Sequence, residues 1–115
     1  MVNWGQSEHS IVVVEDPLVG RLVGSVLGRQ GYQIHEASAE AALDLLGLSG
    51  SSERIIVTNQ PEHFLPFAGR VRLLYLAACP DYDLAKQFQV CRVLRKPFHP
   101  DELLSSVVKL LATGN

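Results

Sequence analysis

The sequence is short of several things, and each shortage removes a class of function. Two cysteines, Cys79 and Cys91, occur in 115 residues. That is too few for a disulfide-built scaffold and points to a reducing compartment. Neither sign of charge dominates: ten Lys and Arg against twelve Asp and Glu leave a net charge of −2. No large field therefore draws the chain to nucleic acid or to an anionic membrane. Long apolar runs are missing, since the longest, such as 73–79, is far too short to span a bilayer. Residues 1–10 have neither the basic start nor the apolar centre of a signal peptide. No Gly-rich phosphate loop, no Ser/His/Asp order and no aromatic-basic stripe is present. The four histidines fall in four different elements without ligand spacing, which argues against a zinc site.

What is present is apolar. Hydrophobic residues make up 47% of the chain against 19% charged, which excludes a disordered tail and describes one small cytoplasmic globular domain. At this size most Val and Leu positions must serve the core. Residues 1–10 read as a loose leader, 11–112 as the domain and 113–115 as a short tail. Ile11, Val12, Val13 and Val14 are β-branched and apolar on both faces, as in a central parallel strand. Asp16 and Pro17 read as the N-cap and first residue of a helix. Leu18, Val19, Leu22, Val23, Val26 and Leu27 predict one buried stripe along it, and Gly31 its C-terminal cap. A strand with a wetter face follows at 32–36, then a helix at 39–46 capped by Ser38 and closed by Gly47. The Gly/Ser-rich stretch 48–52 reads as a flexible connection. Further strands are expected at Arg54–Thr58, Val71–Ala77 and 91–95, with a short helix inside 81–88. The last helix begins near Pro100 and carries Leu103, Leu104, Val107, Val108 and Leu111 on one face. Strands alternating with helices predict a parallel α/β sheet with helices on both faces. In such sheets the chemistry gathers at the carboxyl ends of the strands. The residues placed there are Glu15 and Asp16, Asn59, Ala77 and Ala78, and Lys96.

The stretch IVVVEDPLVGRLVGSVLGRQGYQIHEASAEAALDLL resembles the opening half of a response-regulator receiver domain (CheY-like), the phosphoryl-accepting module of two-component phosphorelay signalling. LLYLAACPDYDLAKQF and VLRKPFHPDELLSSVVKLL resemble its closing half, and the likeness spans 11–112. It implies a flavodoxin-like fold with five parallel strands ordered 2-1-3-4-5. In that family an Asp after the third strand attacks a phosphoryl group, and Mg²⁺ is held by that Asp and an acidic pair. A lysine and a Thr or Ser stabilise the phosphate, and an aromatic in the fifth strand turns inward to change the outer face. By this resemblance Glu15 and Asp16 match the acidic pair, Lys96 the lysine, and Pro97 the proline that follows a cis bond.

Three departures bear on function. Asn59 stands where the resemblance implies the acceptor aspartate, and a carboxamide is a very poor nucleophile beside a carboxylate. Ala77 replaces the hydroxyl residue, and Val93 replaces the switching aromatic. The loop after Asp16 is also one residue shorter than the family's. Between Asn59 and Val71 only eleven residues remain. A helix of about 11–12 residues with two loops of about 4–6 needs roughly 20, so the third helix is expected to be missing or much shortened. Phe64, Leu65 and Phe67 are then expected to cover the sheet in its place. The family's site carries three carboxylates and one lysine. Here Glu15, Asp16 and Lys96 sum to −1, so Mg²⁺ binding is expected to be weak or absent, with no other cofactor. Lys96 is expected to bridge both carboxylates.

These departures predict a pseudo-receiver, not an enzyme, acting by protein–protein contact independently of aspartyl phosphorylation. Its partner would be a histidine kinase or another signalling protein. The surface would be the family's fourth-helix, fifth-strand and fifth-helix face, here the short helix in 81–88, the strand 91–95 and the last helix. A homodimer, a phosphoacceptor using a displaced carboxylate such as Asp16, and a small-molecule binder at the vestigial pocket remain as alternatives. Glu15, Asp16 and Lys96 read first as a structural ion pair with a helix cap, and second as a residual anion or metal site. Gly20, Gly24 and Gly28, four residues apart, mark either the close approach of another helix or a tolerant surface. Cys79 and Cys91 read as buried thiols.

Overall fold

The computed structural model describes residues 10–49 and 54–112. The expected leader 1–10 except Ser10, the tail 113–115 and most of the Gly/Ser connection lie outside them. Five strands run in the order β1 (Ser10–Val14), β2 (Gln33–Glu36), β3 (Arg54–Thr58), β4 (Val71–Ala77) and β5 (Val90–Arg95). They form one all-parallel sheet of spatial order β2-β1-β3-β4-β5, the flavodoxin-like arrangement. Between them lie α1 (Pro17–Gly28), α2 (Ala39–Ser49), α3 (Tyr82–Ala85) and, last in the chain, α4 (Pro100–Ala112).

Alternation along the strands distributes their side chains to two cores. Ile11, Val13, Ile55, Val57, Leu74 and Leu76 pack with Val23 and Leu27 of α1 and with Leu103, Val107 and Leu110 of α4. Val12, Val14, Ile56, Leu73 and Tyr75 pack on the opposite face with Ala42 and Leu46 of α2, Phe64, and Ala85 and Phe88 around α3. Both faces of the sheet are thus covered, as a parallel sheet requires.

The connection from β3 to β4 holds only a 3₁₀ segment, Pro61–Phe67, in place of a full third helix. Phe64 is fully buried there, and Leu65 and Phe67 pack beside it against the second core. The shortened segment therefore covers the sheet with aromatic bulk instead of helix length. On the other face, the Arg72 guanidinium donates to the carbonyls of Leu110 and Leu111, at 2.7 and 3.0 Å, and closes the last turn of α4.

Several expectations are corrected. Helix α1 ends at Gly28 with Arg29 as its C-cap, and Gly31 lies beyond it at φ 95°. Gly47 does not close α2, which continues to Ser49. The predicted stripe on α1 is too wide: Leu18 is 78% exposed and Leu22 48%. A flat sheet meets only one arc of a helix, and here that arc centres on Gly20, Val23 and Leu27. Val108 of α4 is exposed for the same reason, while Ser106 and Leu110 are buried. The small residues Gly20 and Gly24 face no helix. A Cβ at Gly20 would lie 3.1 Å from Glu36 Oε1, and one at Gly24 would lie 3.4 Å from Ile34 Cγ2, both on β2. Gly28 faces open space. Cys79 is exposed and only Cys91 is partly buried; both are free thiols.

Candidate functional site

The carboxyl ends of β1 and β3 bring Glu15, Asp16 and Asn59 together. With Ser38, Gln60 and the backbone around Ala37 they line an open cavity of about 300 Å³. Each wall has a local cause. Asp16 adopts an extended conformation ahead of Pro17, so its Oδ1 accepts from the N–H groups of Leu18 and Val19, both at 3.1 Å. Ser38 Oγ accepts from Ala41 N at 3.1 Å and caps α2 in the same way. Thr58, fully buried at the end of β3, accepts from Gln60 N at 3.0 Å and fixes the turn that carries Asn59.

Glu15 turns away from this cavity's open side toward β5. Its side chain has no solvent exposure, and Lys96 Nζ lies 3.2 Å from Oε2 and 3.4 Å from Oε1. Oε1 also accepts from Asp16 N at 3.1 Å, whereas Oε2 has only the ionic contact and no hydrogen bond of good geometry. The expected bridge to both carboxylates is therefore corrected: Lys96 pairs with Glu15, and Asp16 Oδ1 is engaged by the α1 cap. A side chain that caps a helix from the position before Pro17 is aimed along that helix, not toward β5.

Lys96 follows β5 directly, its backbone N–H donating to Ala77 O at 2.9 Å, and the Lys96–Pro97 bond is cis. Ala77 and Val93 both pack on the α2 and α3 side of the sheet, with Ala77 paired to Arg95 two residues beyond Val93. Neither side chain carries a group that can hydrogen-bond an anion. Lys96 also borders a second, almost wholly apolar cleft of about 280 Å³, with Val19, Leu22, Pro97 and Phe98. The residues singled out in the sequence are thus brought to one end of the sheet, but Glu15 stands between two separate concavities.

A magnesium ion is a poor match for these donors. Both Glu15 oxygens face the Lys96 ammonium, Asp16 Oδ1 serves two backbone N–H groups, and Asn59 offers a neutral carboxamide. Among the described residues no three His, Cys, Asp or Glu side chains converge. Mg²⁺ dehydrates reluctantly and depends on carboxylates, and here Glu15 is held by Lys96 and one oxygen of Asp16 by the α1 cap.

Sequence reasoning missed Tyr75. Its ring is buried under the second core, and its hydroxyl accepts from Asp81 N at 3.1 Å. Asp81 Oδ1 in turn accepts from Leu84 N at 3.1 Å and caps α3. The loop after β4 is thereby pinned to the sheet. A tyrosine inside an otherwise aliphatic strand was the available signal, because a buried hydroxyl needs a partner. At the start of α4, His99 N donates to Glu102 Oε1 at 2.8 Å, half of a capping box. Burial pushes the Cys91 thiol up to about 11.

No family model and no curated protein sequence matches the chain. Solved structures do. A response regulator receiver protein from Burkholderia phymatum is 24% identical, with 93% of this chain and 98% of that one covered at a TM-score of 0.73. A response regulator from Thermotoga maritima is 22% identical, covering 90% and 98% at 0.69. A chemotaxis response regulator of Vibrio cholerae is 20% identical, covering 88% and 97% at 0.70. The fold is that of response-regulator receiver domains, over nearly the full length of those chains.

Proposed function

We propose that this chain is a receiver-type signalling domain that acts by binding other proteins and does not accept a phosphoryl group on an aspartate. The observation that carries this reading is the arrangement at the strand ends. Asn59 occupies the place after β3, while the buried Glu15 carboxylate is held by Lys96 at 3.2 Å. A carboxamide does not supply the nucleophile of acyl-phosphate chemistry. A lysine paired to Glu15 is neutralised where a transferred phosphate would need it. Ala77 has no hydroxyl to hold such a phosphate, and Val93 has no ring to move in response to one.

With the covalent step gone, what the fold still offers is surface. Tyr82 of α3 and Val108 of α4 are exposed on either side of β5. This is the face proposed for a protein partner, a histidine kinase or another component of a two-component pathway. The similar structures are described as response regulators, which supports placing the chain in such signalling.

Incubation with acetyl phosphate and Mg²⁺, followed by intact-mass measurement, tests the reading. The expected result is an unchanged mass. A stoichiometric phosphoryl adduct that hydroxylamine removes overturns the proposal, and mapping it to Asp16 would identify a displaced acceptor. Asn59→Asp in the same assay shows whether the pocket lost its chemistry through that residue.

A further inference from the structure

The sheet ends at β5 in an edge that no described strand covers. Lys96 N donates inward to Ala77 O, and successive residues of a strand turn their backbone groups to opposite sides. Cys91, Val93 and Arg95 therefore direct their N–H and C=O groups away from β4. Helix α3 has four residues and is about 6 Å long, against about 20 Å for the six residues of β5. It cannot overhang the strand, and Cys91 and Val93 stay half-buried beside the open edge.

The two exposed side chains of β5 are both cations. By alternation Arg92 shares the α1 and α4 face with Val90 and Leu94, and Arg95 the α2 and α3 face with Cys91 and Val93. Neither is ion-paired with a described residue. The strand has no carboxylate of its own, and those in the first turns of α3 and α4 gather beyond its carboxyl end. Lys86, the exposed C-cap of α3, adds a further positive charge near its amino end. Charge on an edge discourages pairing with strands of like charge. Pairing of two copies through β5 would crowd Arg92 and Arg95 against their own images. The other edge strand, β2, does not supply the complement from a second copy, since its one carboxylate, Glu36, lies over Gly20 of α1. The strand that fits carries carboxylates three residues apart, one for each face.

We propose that the β5 edge takes an acidic, extended segment of a partner protein as an added strand, its backbone on Cys91, Val93 and Arg95 and its carboxylates on Arg92 and Arg95. This rests on reading the β5 face as the partner surface, but its test contains no phosphoryl donor. A chain that binds the probe yet forms an aspartyl phosphate fails only the earlier reading, and one that does neither fails only this one. The probe is the blocked peptide acetyl-Thr-Glu-Thr-Val-Glu-Thr-amide, titrated into the full chain and followed by amide NMR and hydrogen exchange. It should shift and protect the amides of Cys91, Val93 and Arg95 before any others, with an affinity that added salt weakens. Arg92→Glu combined with Arg95→Glu should raise the dissociation constant at least about tenfold and transfer the preference to the same peptide with Lys in place of Glu. Full N-methylation of the peptide removes its donors and should abolish binding. No binding at about millimolar peptide, shifts centred away from β5, or unchanged affinity in the double variant overturns the proposal. Binding that survives N-methylation, or equal binding of the Lys peptide by the wild-type chain, overturns it as well. These last two measurements use the wild-type chain, so they decide the matter even if the double variant does not fold.

Discussion

Replacing Lys96 by Met removes the ammonium from a carboxylate that has no exposure to water of its own. Glu15 then keeps one hydrogen bond, from Asp16 N to Oε1, while Oε2 has none. Breaking a buried pair by deleting one partner typically costs about 3–5 kcal/mol. The Lys96 side chain is 26% exposed, which lets water reach the pair from one side and places the expectation at the lower end, about 3 kcal/mol. Glu15→Gln is milder. It leaves a neutral acceptor and frees the lysine toward solvent, costing about 1 kcal/mol, the net value of a typical hydrogen bond. The double variant should cost less than the sum of the two, with a coupling of about 1–3 kcal/mol. Urea unfolding reads this directly: with a slope of about 1–3 kcal/mol per molar, Lys96→Met should lower the midpoint by roughly 1–3 M. A Lys96→Met variant within about 0.5 kcal/mol of wild type would refute the reasoning. The carboxylate would then not depend on the lysine, and the argument that Lys96 is engaged where a phosphate would need it would fail.

Phe64→Ala should cost about 3–5 kcal/mol in the same assay, because the ring is fully buried and the 3₁₀ segment has little else to close the gap. A cost under about 1 kcal/mol would show that the segment does not substitute for the missing helix. Gly28→Ala should stabilise by up to about 1 kcal/mol, since it gains helix propensity in open space. Gly31→Ala should destabilise, because φ 95° strains any residue with a Cβ; a destabilised Gly28→Ala would contradict the first argument and a stabilised Gly31→Ala the second. The Cys91 thiol is favoured neutral in the folded state, so the unfolded chain loses its proton first as pH rises. Stability should fall between pH 9.0 and about 11, and Cys91→Ala should flatten that fall in unfolding midpoints. A thiol reagent below that range should modify exposed Cys79 well before Cys91.

The strands were legible because each needed only local information. Four consecutive β-branched or aliphatic residues from Ile11 to Val14, ended by Glu15 and Asp16, leave few alternatives to a central strand. Spacing alone also foretold the loss of the third helix. The helix surfaces were less legible. Leu18 and Leu22 have the same hydropathy and the same period as Val23 and Val26, so no local rule separates the buried from the exposed flank. The glycines misled in the same way, since their repeat signals close approach but does not say to what. The pairing of Lys96 with Glu15 alone depended on the direction in which Asp16 caps α1, which is a three-dimensional fact.

By itself the sequence determined the parallel α/β architecture, the strand ends that hold Glu15, Asp16, Asn59 and Lys96, and the absence of a carboxylate after β3. Those follow from composition, alternation and residue identity, which act over a few neighbours along the chain. Only the tertiary structure decided which carboxylate the lysine holds, that Tyr75 anchors the loop after β4, and which apolar flank of α1 remains in water. Glu15 and Lys96 are 81 residues apart, and Arg72 closes α4 from 38 and 39 residues away. Interactions over such separations exist only once the sheet has fixed where each element stands, so no local pattern encodes them.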